Sequence, residues 1–443
     1  MKTAVENRSV KASCALLHEC HFCFFLSKGR RQLEVQNSVF EIDRREFLMR
    51  LYGFKAFAAI LTAVFGFSNA DLMGQSYQYL ISDTQETDST PAPTPAVAAQ
   101  DSATIAPIVE AELADDAGDD AANQLKFGGW FQSGYHTYDT GMFNNRNNKL
   151  NLHQAYLYAE KAANADAGLF GLGFRMDYVY GIDGPDTQAF GAPASSWDNP
   201  WDNGATFGHA IPQLYAELAM GDASFKVGHF YTIMGYEVVT APDNFFYSHS
   251  YTMFNSEPFT HTGVLGEFDF GDLTLYGGWT LGWDSGFESG IDDGSNFLGG
   301  ASFSLGDLGT LTHTISVGRL GAGSTGSGFS QSFVGDFNLT EDLNFIFQSD
   351  YVDNPSINRS YGANTYLLYS LSDNVGVGTR VEWWRDDLAG ADLFGITAGF
   401  NVKVGDNVIL RPELRYDRDN DGRLIPADKN QVVGIGMDAI LTF

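Results

Sequence analysis

The sequence predicts an all-β fold, a transmembrane up-and-down antiparallel β-barrel of about 16 strands, preceded by a signal peptide and a disordered acidic linker. Three observations carry this prediction. Apolar residues alternate with small or charged ones at a period of two, connections alternate between short and long, and the last strand keeps one apolar face up to Phe443.

Composition narrows the field first. The 443 residues include 49 Gly, 35 Phe, 20 Tyr and 7 Trp, with 55 acids against 26 bases and a net charge of -29. A nucleic-acid binder needs a basic footprint, so nucleic acid is not an expected partner. At 14% aromatic content the chain is not disordered as a whole. Its longest apolar run, residues 56–67, is too short for a spanning helix.

The charge divides unevenly, with +4 in residues 1–70, -11 in 71–124 and -22 in 125–443. All three cysteines (Cys14, Cys20, Cys23) lie in the first segment. The rest is thiol-free, which suits an oxidising compartment without disulfide staples.

Residues 49–70 read as a signal peptide. Arg50 and Lys55 give the basic flank, AFAAILTAVFGF (56–67) the apolar region and Ser68-Asn69-Ala70 a small-x-small site, so cleavage is expected near Ala70. Met49 stands where such a peptide starts, which makes 1–48 a misassigned or unstructured N-terminal extension. Arg44 and Arg45 offer a competing twin-arginine export motif with an earlier start. Residues 71–124, with DSTPAPTP (88–95) and EAELADDAGDD (110–120), form a Pro-rich, then acidic, disordered linker.

Residues 125–443 are the expected barrel domain. Phe170, Leu172, Phe174, Met176, Tyr178 and Tyr180 share one face, opposite Gly171, Gly173, Arg175 and Asp177. Val375, Val377, Thr379, Val381 and Trp383 likewise oppose Gly376, Gly378, Arg380, Glu382 and Trp384. In a soluble sandwich the apolar face is core, whereas in a membrane barrel it meets lipid and the other face lines water.

Connections separate these two. Tight turns are expected near 162–167, 221–223, 271–272, 306–310, 340–342, 372–374 and 405–407. Long loops are expected at 139–149, 182–207, 232–260, 284–296, 321–330, 352–359, 386–391 and 418–430. Tight turns at one end and loops at the other mark an up-and-down membrane barrel, and sixteen strands leave room for water inside. Val433, Ile435, Met437, Ala439, Leu441 and Phe443 continue the alternation to the end. Such a closing strand resembles the signal that the outer-membrane barrel assembly machinery reads, so that machinery and outer-membrane lipids are the expected partners.

The segments FKVGHFYTIMGYEVVTAPDNFFYSHSY (225–251) and EPFTHTGV (257–264) resemble the hallmark of the OmpL-like outer-membrane β-barrel porins. RVEWWRD (380–386) and RPELRYD (411–417) are similar to that family's later strands. The resemblance spans roughly 125–443 and departs at His249, where the family pattern suggests Arg. It implies a bacterial outer membrane location and a water-filled channel for passive diffusion of small hydrophilic solutes or ions. Trimerisation to a homotrimer is an analogy from strand number. The alternative is a non-conducting structural or adhesive barrel acting through long loops such as 182–207, with Trp197 and Trp201.

Loop 232–260 is aromatic enough to be an aggregation hazard if exposed, so it is expected to fold into the lumen as a pore constriction. Its candidate residues are Glu237, Asp243, Tyr247, His249 and Glu257, with His261 just beyond. Alternation places Arg175, Asp177, Glu217, Lys226, Glu267, Arg380, Glu382, Arg411, Glu413 and Arg415 on the pore lining, with Asp269, Asp336, Asp350 and Asp417. Acids exceed bases there, so a weak cation preference is expected, unless the charges simply pair across the wall.

DRDNDGRLIPAD (417–428) resembles an EF-hand or dockerin calcium loop. Asp417, Asp419, Asp421 and Asp428 fall at positions 1, 3, 5 and 12, so Ca2+ is a candidate cofactor, against a merely solvated acidic loop. No Gly-x-Ser-x-Gly elbow, His-Glu-x-x-His run or paired cysteine cluster occurs, so no enzyme is expected.

Overall fold

The computed structural model describes residues 124–443, apart from 165–169, 192–196, 199–200, 204–205, 292–293, 322–325, 355–357 and 422–429. The extension, signal peptide, cleavage site and linker lie outside the described residues, as does Asp428.

Among the described residues eighteen strands run in chain order. They are β1 (Lys126–His136), β2 (Leu150–Lys161), β3 (Gly171–Gly181), β4 (Asp202–Asn203), β5 (Phe207–Ala210), β6 (Leu214–Met220), β7 (Ala223–Tyr231), β8 (Thr260–Asp269) and β9 (Leu273–Trp283). Then come β10 (Ser295–Ser304), β11 (Gly309–Arg319), β12 (Gly328–Asn338), β13 (Leu343–Asn354), β14 (Asn358–Ser372), β15 (Val375–Asp386), β16 (Ala391–Val404), β17 (Val408–Asp419) and β18 (Gln431–Thr442). Among the described residues two short α-helices lie between strands, α1 (Gly184–Thr187) and α2 (Tyr251–Ser256).

The wall has sixteen strands, because β4 only pairs with β5 in a loop and β5 and β6 together form one wall strand. Both pair with β3, Val179 opposite Ala210 and Met176 opposite Leu214. Pro212 stands between them, and without an N–H it cannot extend the ladder. All pairings are antiparallel, and β1 pairs with both β2 and β18, which closes the sheet. Closure leaves no free edge, the condition for strands in a bilayer.

The expected faces hold. Leu172 is 61% exposed, Val433 66% and Ile435 57% on the outside, while Arg380, Glu382 and Asp438 are buried within. At the seam, the Phe443 N–H donates to Gly129 and its carbonyl accepts from Gly129, both at 3.0 Å, and the Phe443 ring lies 5.5 Å from Phe131.

Short connections share one end, as the sequence predicts. At the other end two loops are shorter than expected. Asn354 still pairs with Asn358 and Asp386 with Ala391, so β13–β14 and β15–β16 extend into the segments read as loops.

Candidate functional site

Residues 232–259, between β7 and β8, turn inward and pack against inward-facing residues of the wall. Gly235, at φ +89°, lies so close to the Glu257 carboxylate that a Cβ there would collide with it, so the two ends of the loop meet. Beyond Gly235 the loop packs apolar groups against an inward-facing apolar patch. Phe245 and Phe246 sit with Val334, Ile346, Tyr366 and Leu368 of the wall. Burying each phenyl ring stabilises the arrangement by about 1.5–3 kcal/mol.

Polar groups fix the loop more specifically. Arg380 Nη1 donates to Glu237 Oε1 at 2.5 Å and to the Ser248 carbonyl at 2.7 Å, and its Nη2 donates to the His249 carbonyl at 3.2 Å. Arg415 Nη1 donates to that same carbonyl at 2.9 Å. Arg411 donates to the carbonyls of Ala241 (2.6 Å) and Asn244 (2.8 Å) while pairing with Asp438 at 2.5 Å.

Carboxylates hold the complementary donors. Glu413 accepts the N–H groups of Tyr247 (3.0 Å) and Ser248 (3.1 Å), Glu237 that of Ser250 and Glu382 that of Tyr251, both at 2.6 Å. The backbone of 247–251 is therefore held by charge-assisted hydrogen bonds on both its donor and acceptor sides. Ser250 also caps α2, accepting from Met253 N–H at 3.3 Å.

Three further contacts add to the attachment. The Trp384 indole donates to Ser256 at 3.0 Å, Thr252 donates to Asn364 at 3.1 Å, and Gln348 donates to Glu257. These anchors stand on β13, β14, β15 and β17, with Asp438 of β18 behind Arg411.

Burial alone would raise the Glu237 carboxyl, but Arg380 beside it, with His249 and the Ser250 N–H, brings it below its ordinary value. Glu257 goes the other way. Burial, reinforced by Asp350, pushes it well above the carboxylate range.

The predicted residues separate into groups. Glu237, Tyr247 and Glu257 lie in the lumen loop, and Asp243 ends a 3-10 turn there, half-buried. His249 is also in the loop, but its ring turns inward between Phe143 and Phe254, its Nε2 3.1 Å from the Val238 carbonyl, so it is no lumen charge. Burial holds it below the usual histidine range. His261 is a wall residue of β8, bridging Thr232 (3.1 Å) and the Gly282 carbonyl (3.1 Å).

Of the pore-lining set, Asp177, Arg380, Glu382, Arg411, Glu413 and Arg415 face inward and are sealed beneath the loop or its neighbours. Arg175, Glu217, Lys226 and Glu267 stay part-exposed, as does Glu160, which pairs with Arg175 at 2.6 Å. The cation of Arg175 lies 4.9 Å over Tyr158 and that of Lys226 5.3 Å over Tyr215.

In the calcium candidate, Asp417 is engaged by Arg415 Nε through both oxygens, at 2.9 and 3.0 Å, and Asp419 accepts the Asp421 N–H at 3.1 Å. Among the described residues no group of three or more His, Cys, Asp or Glu is placed to hold a metal.

Alternation missed His136, His153, Gln154 and Asp183. Tyr247 Oη lies 3.0 Å from His136 Nδ1 and 2.6 Å from His153 Nε2, and His153 Nδ1 is 2.9 Å from Asp183. Gln154 donates to the Val239 carbonyl (2.7 Å) and accepts from Ala241 N–H (3.2 Å). A signal existed in the adjacent polar pair His153-Gln154 within an alternating strand, which marks a bulge.

A family model described as "Putative beta-barrel porin-2, OmpL-like" matches residues 124–443. No curated protein matches the chain. Similar solved structures include an anion-selective porin from Comamonas acidovorans, at 10% identity and a TM-score of 0.49, covering 72% of this chain and 100% of that one. A loop-deletion mutant of OmpT, an outer membrane protein of Vibrio cholerae, is similar at 12% identity and a TM-score of 0.47, covering 73% and 100%. A triple mutant of the Rhodopseudomonas blastica porin gives 12% and 0.49, covering 72% and 100%. A closed sixteen-stranded wall matched along its whole length by one family model identifies the chain as a member of the OmpL-like β-barrel porin family.

Proposed function

We propose that the protein is an outer-membrane porin through which small hydrophilic solutes or ions diffuse, with residues 232–259 as its constriction. The observation that supports this reading is the loop's attachment. Arginines and carboxylates of the wall hold its backbone, leaving part-exposed lumen charges on the opposite wall. There Glu160, Glu217 and Glu267 face Arg175 and Lys226, an acidic excess that favours a weak cation preference.

Purified protein in a planar bilayer should give stepwise conductance, with a reversal potential on the cation side in a salt gradient. Conductance selective for anions would overturn the preference. No conductance at all would establish the competing reading, a non-conducting structural or adhesive barrel, which the full burial of Arg380 and Arg415 favours.

Outer-membrane lipids, the barrel assembly machinery acting on the strand that ends at Phe443, and a homotrimer are part of the same proposal. Crosslinking in native membranes reads the trimer. Calcium at 417–428 is a separate proposal from residue spacing. It requires Arg415 to share or release Asp417, and titration calorimetry with Ca2+ tests it.

A further inference from the structure

The hydrogen-bond chain under Tyr247 has one proton too few when both of its histidines are neutral. His136 Nε2 lies 3.1 Å from the Asn144 carbonyl, which can only accept, so that nitrogen carries hydrogen. His153 Nδ1 lies 2.9 Å from Asp183 Oδ1, while Gln154 donates to the other oxygen at 3.0 Å, so Nδ1 also carries hydrogen. A neutral imidazole has a single N–H. The remaining nitrogens, His136 Nδ1 and His153 Nε2, would then both be acceptors, and both face the one hydroxyl of Tyr247. A hydroxyl has one hydrogen to give, so one contact would set lone pair against lone pair.

One added proton completes the chain, and of the two groups that could hold it the His153 imidazole is intrinsically more basic than the Asp183 carboxylate. On His153 Nε2 it makes an imidazolium whose far side meets the Asp183 carboxylate. His153 then donates to Tyr247, Tyr247 donates to His136, and His136 donates to Asn144. All four residues named here as ring or carboxyl partners are at most 2% exposed, so water cannot supply the missing hydrogen bond.

We propose that Asp183, His153, Tyr247 and His136 form a one-proton latch that holds Tyr247 of the lumen loop to β1 and β2, and that loss of the proton releases this contact and loosens the loop there, while its arginine and glutamate anchors remain. The latch is complete with one proton and incomplete with none. It is also incomplete with two, because a proton on His136 Nδ1 would leave the Tyr247 hydroxyl without an acceptor. Other titratable groups facing it have partners of their own, among them His249, whose Nε2 lies 3.1 Å from the Val238 carbonyl. Tyr138, whose ring is 5.1 Å from that of His136, donates to Glu413 at 2.6 Å. Asp186 accepts the Phe143 N–H at 2.7 Å, and Arg411 and Asp438, beside Tyr247, bind each other.

The proton follows from the geometry alone, whereas the release step rests on reading the loop as the constriction. Nitrogen NMR of histidine-labelled protein in detergent, with His153→Gln and His136→Gln spectra for assignment, reads the proton directly. At about pH 7, where unperturbed imidazoles are mostly neutral, His153 should show both ring nitrogens protonated, and His136 should be neutral with hydrogen on Nε2. A neutral His153 overturns the latch.

Bilayer conductance should then rise with pH as the imidazolium signal is lost, and should be flat with pH in Tyr247→Phe. Conductance that ignores the loss of that signal overturns the release step. No conductance at any pH, with the imidazolium present, overturns the porin reading and leaves the proton in place.

Discussion

Arg380 on β15 and Glu237 in the lumen loop meet at 2.5 Å with both side chains buried, the guanidinium fully. Removing one member of such a pair leaves the other charged, desolvated and alone. Arg380→Ala should therefore cost about 3–5 kcal/mol, more than loss of a surface pair. A fall in the urea midpoint of detergent-solubilised protein reads the cost, and Arg359→Ala, whose pair with Asp353 is exposed, should change it little.

Glu413 supports the loop differently, by accepting backbone donors. Glu413→Gln keeps the shape but removes the charge that strengthens its bonds to Tyr247 and Ser248. The expected cost is about 1.5–3 kcal/mol. It should be visible as raised current noise in single-channel records while the barrel remains folded.

Gly134 makes room for Tyr247, since a Cβ at 134 would stand 2.6 Å from its ring. That ring is trapped between wall strands and cannot swing aside. Gly134→Ala should displace the loop and change conductance, measured against the wild type in the same bilayer.

Asp284 gives a pH prediction. It lies just beyond β9 and accepts the N–H groups of Phe259 (2.8 Å) and Thr260 (3.0 Å), but burial outweighs these bonds and pushes its carboxyl up to about 7. A raised acid binds more protons folded than unfolded. Its contribution is complete below the unfolded value and is lost as pH rises toward about 7. Stability should fall over that window by on the order of 1 kcal/mol per pH unit. Asp284→Asn should flatten the slope of urea midpoint against pH.

Lys226 is one of two part-exposed bases facing the three acids Glu160, Glu217 and Glu267. Lys226→Glu should move the reversal potential further to the cation side in a salt gradient. An unchanged potential would place the ion path elsewhere.

Much of the wall could be read from period two, because lipid outside and polar groups inside impose opposite demands on neighbouring residues. Phe170 to Tyr180 and Val433 to Phe443 show this directly. The period breaks where a bulge changes parity. Gln132 pairs with Gln154 and Ser133 with Leu152, which skips His153 and turns two successive side chains inward. Sequence also suggested an inserted loop from its aromatic content. It could not show that Glu237, Glu382 and Glu413 would each capture a backbone N–H, because those partners lie over a hundred residues apart or depend on a turn within the loop.

Tyr247 also bears on how the molecule is assembled. Its ring fits against Gly134 on the first strand and Gly436 on the last, the two strands that meet at the seam. A mid-chain segment is thus clasped by both termini of the sheet. Shutting the cylinder and seating its occupant are therefore coupled, as staves are drawn around a former, and a variant whose loop arrives late should stall as an open, unzipped sheet.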